Sequence, residues 1–212
     1  MLPAYWAPFV CAFEARFGFA PLWVDLDEVS AGRSRVRPRL TVVLERTAQY
    51  ERFVPALLTT NHSVERAVRR MLHRTGSSLH LSGGPLRRRA KPVDFEGLFV
   101  VFCDFERLAT EHAHAMVTRE ETRAFEESLL LGDRLWCTAR LWGPPVVFVW
   151  TDADAARVRS GGETERFADL WYAVAKTHDE FGYLTREAVA VPIDSKENFD
   201  ATYSSNWYYY FK

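Results

Sequence analysis

LWCTARLWGPPVVFVWT, residues 135 to 151, reads as two apolar strands joined by a Gly143-Pro144-Pro145 turn. Each half is short, rich in β-branched and aromatic residues, and bounded by the Gly and Pro that mark places where a backbone turns. Trp136, Thr138, Arg140 and Trp142 share one face of the first half. Val147 and Val149 share one face of the second, with Val146, Phe148 and Trp150 on the other. A strand that is apolar on both faces has to be covered on both, which places this hairpin in the middle of a sheet.

Upstream, 98–104 (LFVVFCD) is a second buried strand, followed by a helix over 105–116. Thr118 and Glu121 then form a capping box ahead of Phe125, Leu129 and Leu130, with Gly132 as terminator. Downstream, Thr151 or Asp152 starts a short helix that stops at Gly161-Gly162. Thr164 starts a longer one with Phe167, Leu170, Trp171, Val174 and Phe181 turned inward. Val189, Val191 and Ile193 alternate as a strand, Ser195 to Tyr203 form a helical turn, and Trp207 to Phe211 close the chain as an aromatic strand. Residues 98–193 thus follow the order β-α-β-β-α-β of a ferredoxin-like split βαβ unit.

Ahead of that core, residues 4–17 carry Trp6, Phe9, Val10, Phe13 and Phe17 at helical spacing, with Gly18 placed to end the helix. Residues 22–27 and 36–46 form a hairpin whose second strand tolerates Pro38 at a sheet edge. Thr47 caps a helix reaching to about Leu58, broken by Pro55. From Ser63, Val64, Ala67, Val68, Met71 and Leu72 recur on one helix face, and Arg66, Arg69, Arg70, His73 and Arg74 on the other. The stretch 75–96 has little periodicity and is a long, basic, Gly- and Pro-containing loop. The expected fold class is α/β (α+β): one domain over 1–212, with a single mixed sheet extended by the N-terminal hairpin and the C-terminal strand.

At 48% hydrophobic and 14% aromatic, the 212 residues are neither disordered nor fibrous. No apolar run approaches the roughly 18 residues of a membrane span. The opening MLPAYWAPFVCAF lacks a basic leader and is interrupted by Pro3 and Pro8, so no signal peptide is expected and the location is expected to be cytoplasmic. Cys11, Cys103 and Cys137 lie far apart in apolar segments, the pattern of buried free thiols. Twenty-three Arg against four Lys matches GC-rich, bacterial coding.

A near-neutral total hides a large asymmetry. Between Arg33 and Lys91 stand fourteen Lys or Arg against Glu45, Glu51 and Glu65, a net +11, while the remainder holds 13 basic and 25 acidic groups, a net −12. Arg33, Arg35, Arg37 and Arg39 recur at period two and project together from an extended chain. Arg66, Arg69, Arg70 and Arg74 add a helical ridge, and Arg87, Arg88, Arg89 and Lys91 a basic loop. If these converge, they form a patch that attracts phosphates or acidic protein surfaces.

Residues with chemistry to offer are sparser. Asp104, Asp152 and Asp194 each follow an apolar strand, where ligands of α/β sheets gather. Helix capping explains Asp152 and Asp194 as well. His178 falls on an inward helix stripe and is a candidate acid or base. His112 and His114 sit on a helix, where i and i+2 diverge, and read as surface histidines rather than metal ligands. Of Tyr208, Tyr209 and Tyr210, at least one phenol must reach the surface. GxGxxG, Walker A, GxSxG, CxxC and HExxH patterns are absent, so no cofactor and no metal is implied.

The function expected first is a non-enzymatic intracellular protein that meets an acidic macromolecule through its basic face, for example a toxin-neutralising or regulatory protein. An enzyme acting on a phosphorylated or nucleic-acid substrate is the alternative, with the strand-end aspartates or His178 as its chemistry. A nucleic-acid-binding protein is the third reading: the helices around TTNHS resemble a helix-turn-helix, although Pro55 interrupts the first. A pocket holding two or more of Asp104, Asp152, Asp194 and His178 beside the arginines separates the enzyme from the binder.

Overall fold

The computed structural model describes residues 2–30, 36–55, 61–75 and 97–212. They fall into two compact units, Met1–Arg107 and Leu108–Lys212.

In the first unit, α1 (Ala7–Phe17) ends at Gly18, whose φ of +86° gives the left-handed turn that closes a helix. β1 (Trp23–Ser30) and β2 (Val36–Leu44) pair antiparallel, α2 (Thr47–Glu51) and α3 (His62–Thr75) follow, and β3 (Phe99–Asp104) returns parallel to β2. The sheet order is β1-β2-β3, so β2 is central and not an edge. Pro38 is accommodated because pairing with β3 begins one residue later, at Arg39 opposite Phe99. α3 starts at His62, one residue ahead of the expected cap Ser63, and Asn61 Oδ1 accepts from the Ser63 amide at 3.0 Å.

The core of this unit is aromatic. Phe53, just after α2, lies within 6 Å of the rings of Phe13, Phe17, Phe19 and Phe102, mostly edge-on or tilted. The apolar face of α1 and the buried Val68 and Leu72 of α3 join the same core as Leu40, Val42 and Leu44.

α4 (Phe105–Met116) begins at the end of the first unit and runs into the second, followed by α5 (Arg119–Ser128). α5 opens on the expected capping box: the Glu121 amide donates to Thr118 Oγ1 at 3.2 Å, and Glu121 Oε2 accepts from the Thr118 amide at 2.8 Å. β4 (Leu135–Ala139) and β5 (Val146–Val149) form the expected hairpin, β5 buried at every position. α6 (Asp152–Ser160) and α7 (Glu163–Lys176) lead to β6 (Ile193–Ser195), which runs parallel to β5 and gives the order β4-β5-β6. α8 (Lys196–Tyr203) and a last turn, α9 (Trp207–Tyr210), end the chain.

The chain is mixed α/β, but its described strands make two three-stranded sheets, not the single sheet with a ferredoxin-like core over 98–193. The cause lies in the connection before β3. A parallel neighbour needs a long crossover, and the β2-to-β3 segment, with α3 on it, supplies one, so β3 joins the N-terminal hairpin. Of the 189–193 strand only its end forms. Val189, Val191 and Ile193 do point inward, but Arg186–Ala188 take a 3-10 turn and ladder pairing starts at Ile193. The C-terminal aromatic strand is a helical turn instead. Ser204 and Ser205 adopt positive φ, and Asn206 Oδ1 then accepts from the Tyr208 amide at 2.9 Å, which curls the WYYY segment.

Phe53→Ala removes the ring on which the first core converges. We expect a loss of about 3–5 kcal/mol in urea denaturation; a loss below about 1 kcal/mol contradicts this packing.

Candidate functional site

Of the basic groups expected to form one face, Arg33, Arg35, Arg87, Arg88, Arg89 and Lys91 lie outside the described residues. The others divide. Arg39 is bound by Asp27 across the β1–β2 pair, Nε to Oδ1 at 2.9 Å and Nη2 to Oδ2 at 2.6 Å. The two strands pair Asp27 directly opposite Arg39, so the fork meets the carboxylate in register. Arg69 donates to Glu65 at 2.6 Å, one helical turn back. These two guanidinium groups are neutralised within their own unit.

Arg66, Arg70 and Arg74 are different. Spaced by four residues along α3, all three are exposed, and no described carboxylate lies within ion-pair distance. Arg66 Nε donates to the His62 carbonyl at 3.3 Å, which lays its side chain along the helix. Arg37 is exposed on β2.

Asp104, Asp152, Asp194 and His178 do not assemble into one site. Asp104 is buried and caps α4. Its Oδ1 accepts from the Arg107 amide at 3.1 Å and from Thr47 Oγ1 at 3.2 Å. His178, beyond the end of α7, binds the Glu121 carboxylate through Nε2 at 2.9–3.0 Å.

Asp152 and Asp194 do come together, at the carboxyl ends of the parallel strands β5 and β6. Ser195, fully buried, joins them: its hydroxyl donates to Asp152 Oδ1, and its amide donates to Asp194 Oδ1 at 2.7 Å. Asn198 Nδ2 and the Tyr210 hydroxyl also donate to Asp194, at 3.0 and 2.8 Å. Burial, then the Asp194 carboxylate, holds the Tyr210 phenol above its ordinary range. The same rim receives the N-termini of α6 and α8, a geometry that elsewhere binds anions. Here the chain supplies its own acceptors: Glu197 Oε2 takes the Asp152 amide at 2.8 Å, Thr151 Oγ1 the Asp154 amide, and Ser195 Oγ the Asn198 amide. A serine hydrogen-bonded to aspartate without an imidazole between them lacks the base that activates a nucleophile.

The cysteines differ from expectation too. Cys11 is exposed, because the outer side of α1 carries it, and Cys103 and Cys137 are half-buried. Burial, then Glu126, pushes the Cys137 thiol up to about 11, far from a reactive thiolate. Among the described residues, no three His, Cys, Asp or Glu side chains are grouped to hold a metal ion, and no helix is long and apolar enough to cross a membrane.

Two features were missed. The first is a groove of about 850 Å3 beside β4, the edge strand of its sheet, walled by Thr138, Arg140, Trp142, Trp207, Tyr208 and Phe211. Tyr208 and Tyr209 are exposed and Tyr210 is half-buried, as the tail's composition required. The second is His114, read as a surface histidine and in fact 4% exposed, whereas His112 is exposed. His114 falls on the stripe of Ala109, Ala113 and Val117, and those small buried residues are the signal that marks the inner face of α4. Trp171 Nε1 donates to His114 Nδ1 at 3.1 Å. Arg140, over the Trp171 ring at 5.6 Å, donates to the His114 carbonyl and, at 2.6 Å, to the Val117 carbonyl, closing the C-terminal end of α4. A smaller cavity, about 210 Å3, opens beside this histidine. Neither cavity is lined by Asp104, Asp152, Asp194 or His178.

Comparison with protein-family models, curated proteins and solved structures returns no match to this chain. Function therefore rests on the geometry.

Burial, then the charge of Arg140, lowers His114 from 6.5 to about 4. As pH falls below 6.5 the unfolded chain takes up a proton that the folded chain refuses until about 4, so stability present above 6.5 is lost across that window, by about 3 kcal/mol at most. His114→Asn keeps an acceptor for Trp171 and cannot titrate. The wild type should lose that much more stability than the variant between pH 6.5 and 4 in urea denaturation; parallel curves contradict a buried neutral imidazole.

Proposed function

We propose that this chain is a non-enzymatic, intracellular interaction protein that binds an acidic protein surface through α3. The observation that carries the reading is the set of exposed guanidinium groups of Arg66, Arg70 and Arg74, which have no carboxylate partner among the described residues. They stand on a helix whose opposite side, Val68 and Leu72, is sealed in the core. A ridge so anchored presents three delocalised cations at a spacing of about 6 Å, one per helical turn, without having to order the helix on binding.

One observation, the charge balance of the chain, favours an acidic protein over nucleic acid. Residues 1–107 carry 16 Lys or Arg against 11 Asp or Glu, a net +5, but residues 108–212 carry 11 against 17, a net −6. The chain as a whole, at a net −1, lacks the strongly basic balance of a dedicated nucleic-acid domain. The enzyme alternative is less well supported, because Asp104, Asp152 and Asp194 are held by capping bonds and His178 by Glu121.

The test is binding of the full chain to fluorescent poly-L-glutamate and, separately, to a random DNA duplex of matched charge. With Arg66, Arg70 and Arg74 changed to Ser, affinity for the polypeptide should fall roughly ten- to a hundred-fold at low salt, three exposed contacts being worth about 0.5–1 kcal/mol each. The melting temperature should be nearly unchanged. Equal binding by the variant, or tighter binding of the wild type to DNA, overturns the reading.

A further inference from the structure

The groove of about 850 Å3 beside β4 lies wholly in the second unit and is independent of the α3 ridge. One side of it is an unbroken run of the chain, residues 137–142. Successive side chains of a strand point to opposite faces, and in β4 they do. Cys137 and Ala139 pack against the cluster of Phe148 and Phe199, whereas Thr138 donates to Glu126 on α5 at 2.7 Å and Arg140 reaches the carbonyls at the end of α4. A hollow that touches both sets runs along the open side of the strand.

That side is a row of main-chain donors and acceptors. β4 is the edge of its sheet, and among the described residues no hydrogen bond from outside the β4–β5 pair reaches the main chain of 136–142. In an antiparallel pair alternate residues turn their N–H and C=O groups away from the neighbour, so β4 offers them to a further strand. Across the groove stands an aromatic wall of Trp207, Tyr208 and Phe211. Tyr208 is 67% exposed and Trp142, at the end of the run, 69%. A small apolar molecule would satisfy the wall and leave the edge unpaired. A peptide satisfies both, since its own donors and acceptors recur at the same spacing of about 3.3 Å per residue.

The lining also limits which peptide. Cys137 and Ala139 are small, which leaves room between the edge and the aromatic wall for large apolar side chains. On the other face, Arg140 hydrogen-bonds only to the His114 and Val117 carbonyls, so its charge has no carboxylate partner among the described residues. Lys212, exposed and 5.7 Å from the Tyr208 ring, adds a second cation. The Glu126 carboxylate is held by Thr138 and does not line the groove. Charge also disfavours a second copy of this chain, because an isologous β4–β4 seam gathers Arg140 and Lys212 from both copies.

We infer that this groove binds an extended peptide segment in which large apolar residues alternate with acidic ones. The segment adds to β4 as a further strand, its apolar side chains on the Trp207–Tyr208–Phe211 wall and its carboxylates on the side of Arg140.

The test uses the chain with Arg66, Arg70 and Arg74 changed to Ser, so that α3 does not contribute, and a short fluorescein-labelled peptide alternating glutamate with valine or phenylalanine. Fluorescence anisotropy should show saturable binding, and lysine in place of glutamate should weaken it roughly ten-fold or more. N-methylation of one alternate set of peptide nitrogens should weaken binding as much, and N-methylation of the other set should be tolerated, because an added strand pairs along one edge only. Tyr208→Ala and Trp142→Ala, at exposed positions, should each weaken binding several-fold without change in melting temperature. Hydrogen exchange should slow at 136–142 on binding and not at 62–75. The inference is overturned by the absence of saturable binding up to about a millimolar, by equal binding of the lysine peptide, by equal effects of the two N-methylated sets, or by unchanged exchange at 136–142. If the chain alone sediments as a dimer that Tyr208→Ala separates, the edge belongs to a second copy and the inference fails.

Discussion

The burial of Val68 and Leu72 decides which way α3 faces, and with it everything the first unit can present. Each side chain is fully enclosed in the core of the first unit, where α3 packs against α1 and β3. Enclosure of a Val or Leu contributes about 1.5–3 kcal/mol, several times the value of an exposed ion pair. The hydrophobic stripe therefore sets the rotation of the helix, and the guanidinium groups follow from it. Charge does not orient this helix; it is carried outward by the packing on the other side.

The same competition explains why groups that look chemical in the sequence are structural in the fold. Helices that begin directly after strands leave amide donors without partners, and short acidic or hydroxyl side chains at those junctions are the nearest acceptors. Asp104 serves α4, Ser195 serves α8, and Glu197 reaches back to the first amide of α6. His178 is taken by Glu121, which also belongs to the capping box of α5. His114 is held instead by Trp171 and Arg140, which lie 57 and 26 residues away in the sequence.

Local signals were legible and pairing was not. The Val146–Val149 strand, the α1 terminus at Gly18, the Thr118–Glu121 box and the amphipathic division of α3 all depend on residues within a few positions of one another, and each forms as its spacing requires. The partner of Leu98–Asp104 depends on a crossover that no short-range pattern encodes, so one sheet was expected where two form. The Trp207–Tyr210 segment has the composition of a strand, and the two positive-φ serines before it decide otherwise. Arg39 and Arg69 look like the other arginines in sequence. Only the register that sets Asp27 opposite Arg39, and the helical turn that brings Glu65 to Arg69, separates them from the ridge.

The claim that α3 turns to solvent three guanidinium groups with no carboxylate partner among the described residues is open to arginine-specific labelling with phenylglyoxal, read residue by residue by mass spectrometry on the native chain. Arg66, Arg70 and Arg74 should be modified fastest, with Arg39 and Arg69 slower because carboxylates hold them. Equal rates at all five, or protection of the three with reaction at Arg39 and Arg69, would contradict the orientation of α3 on which this account stands.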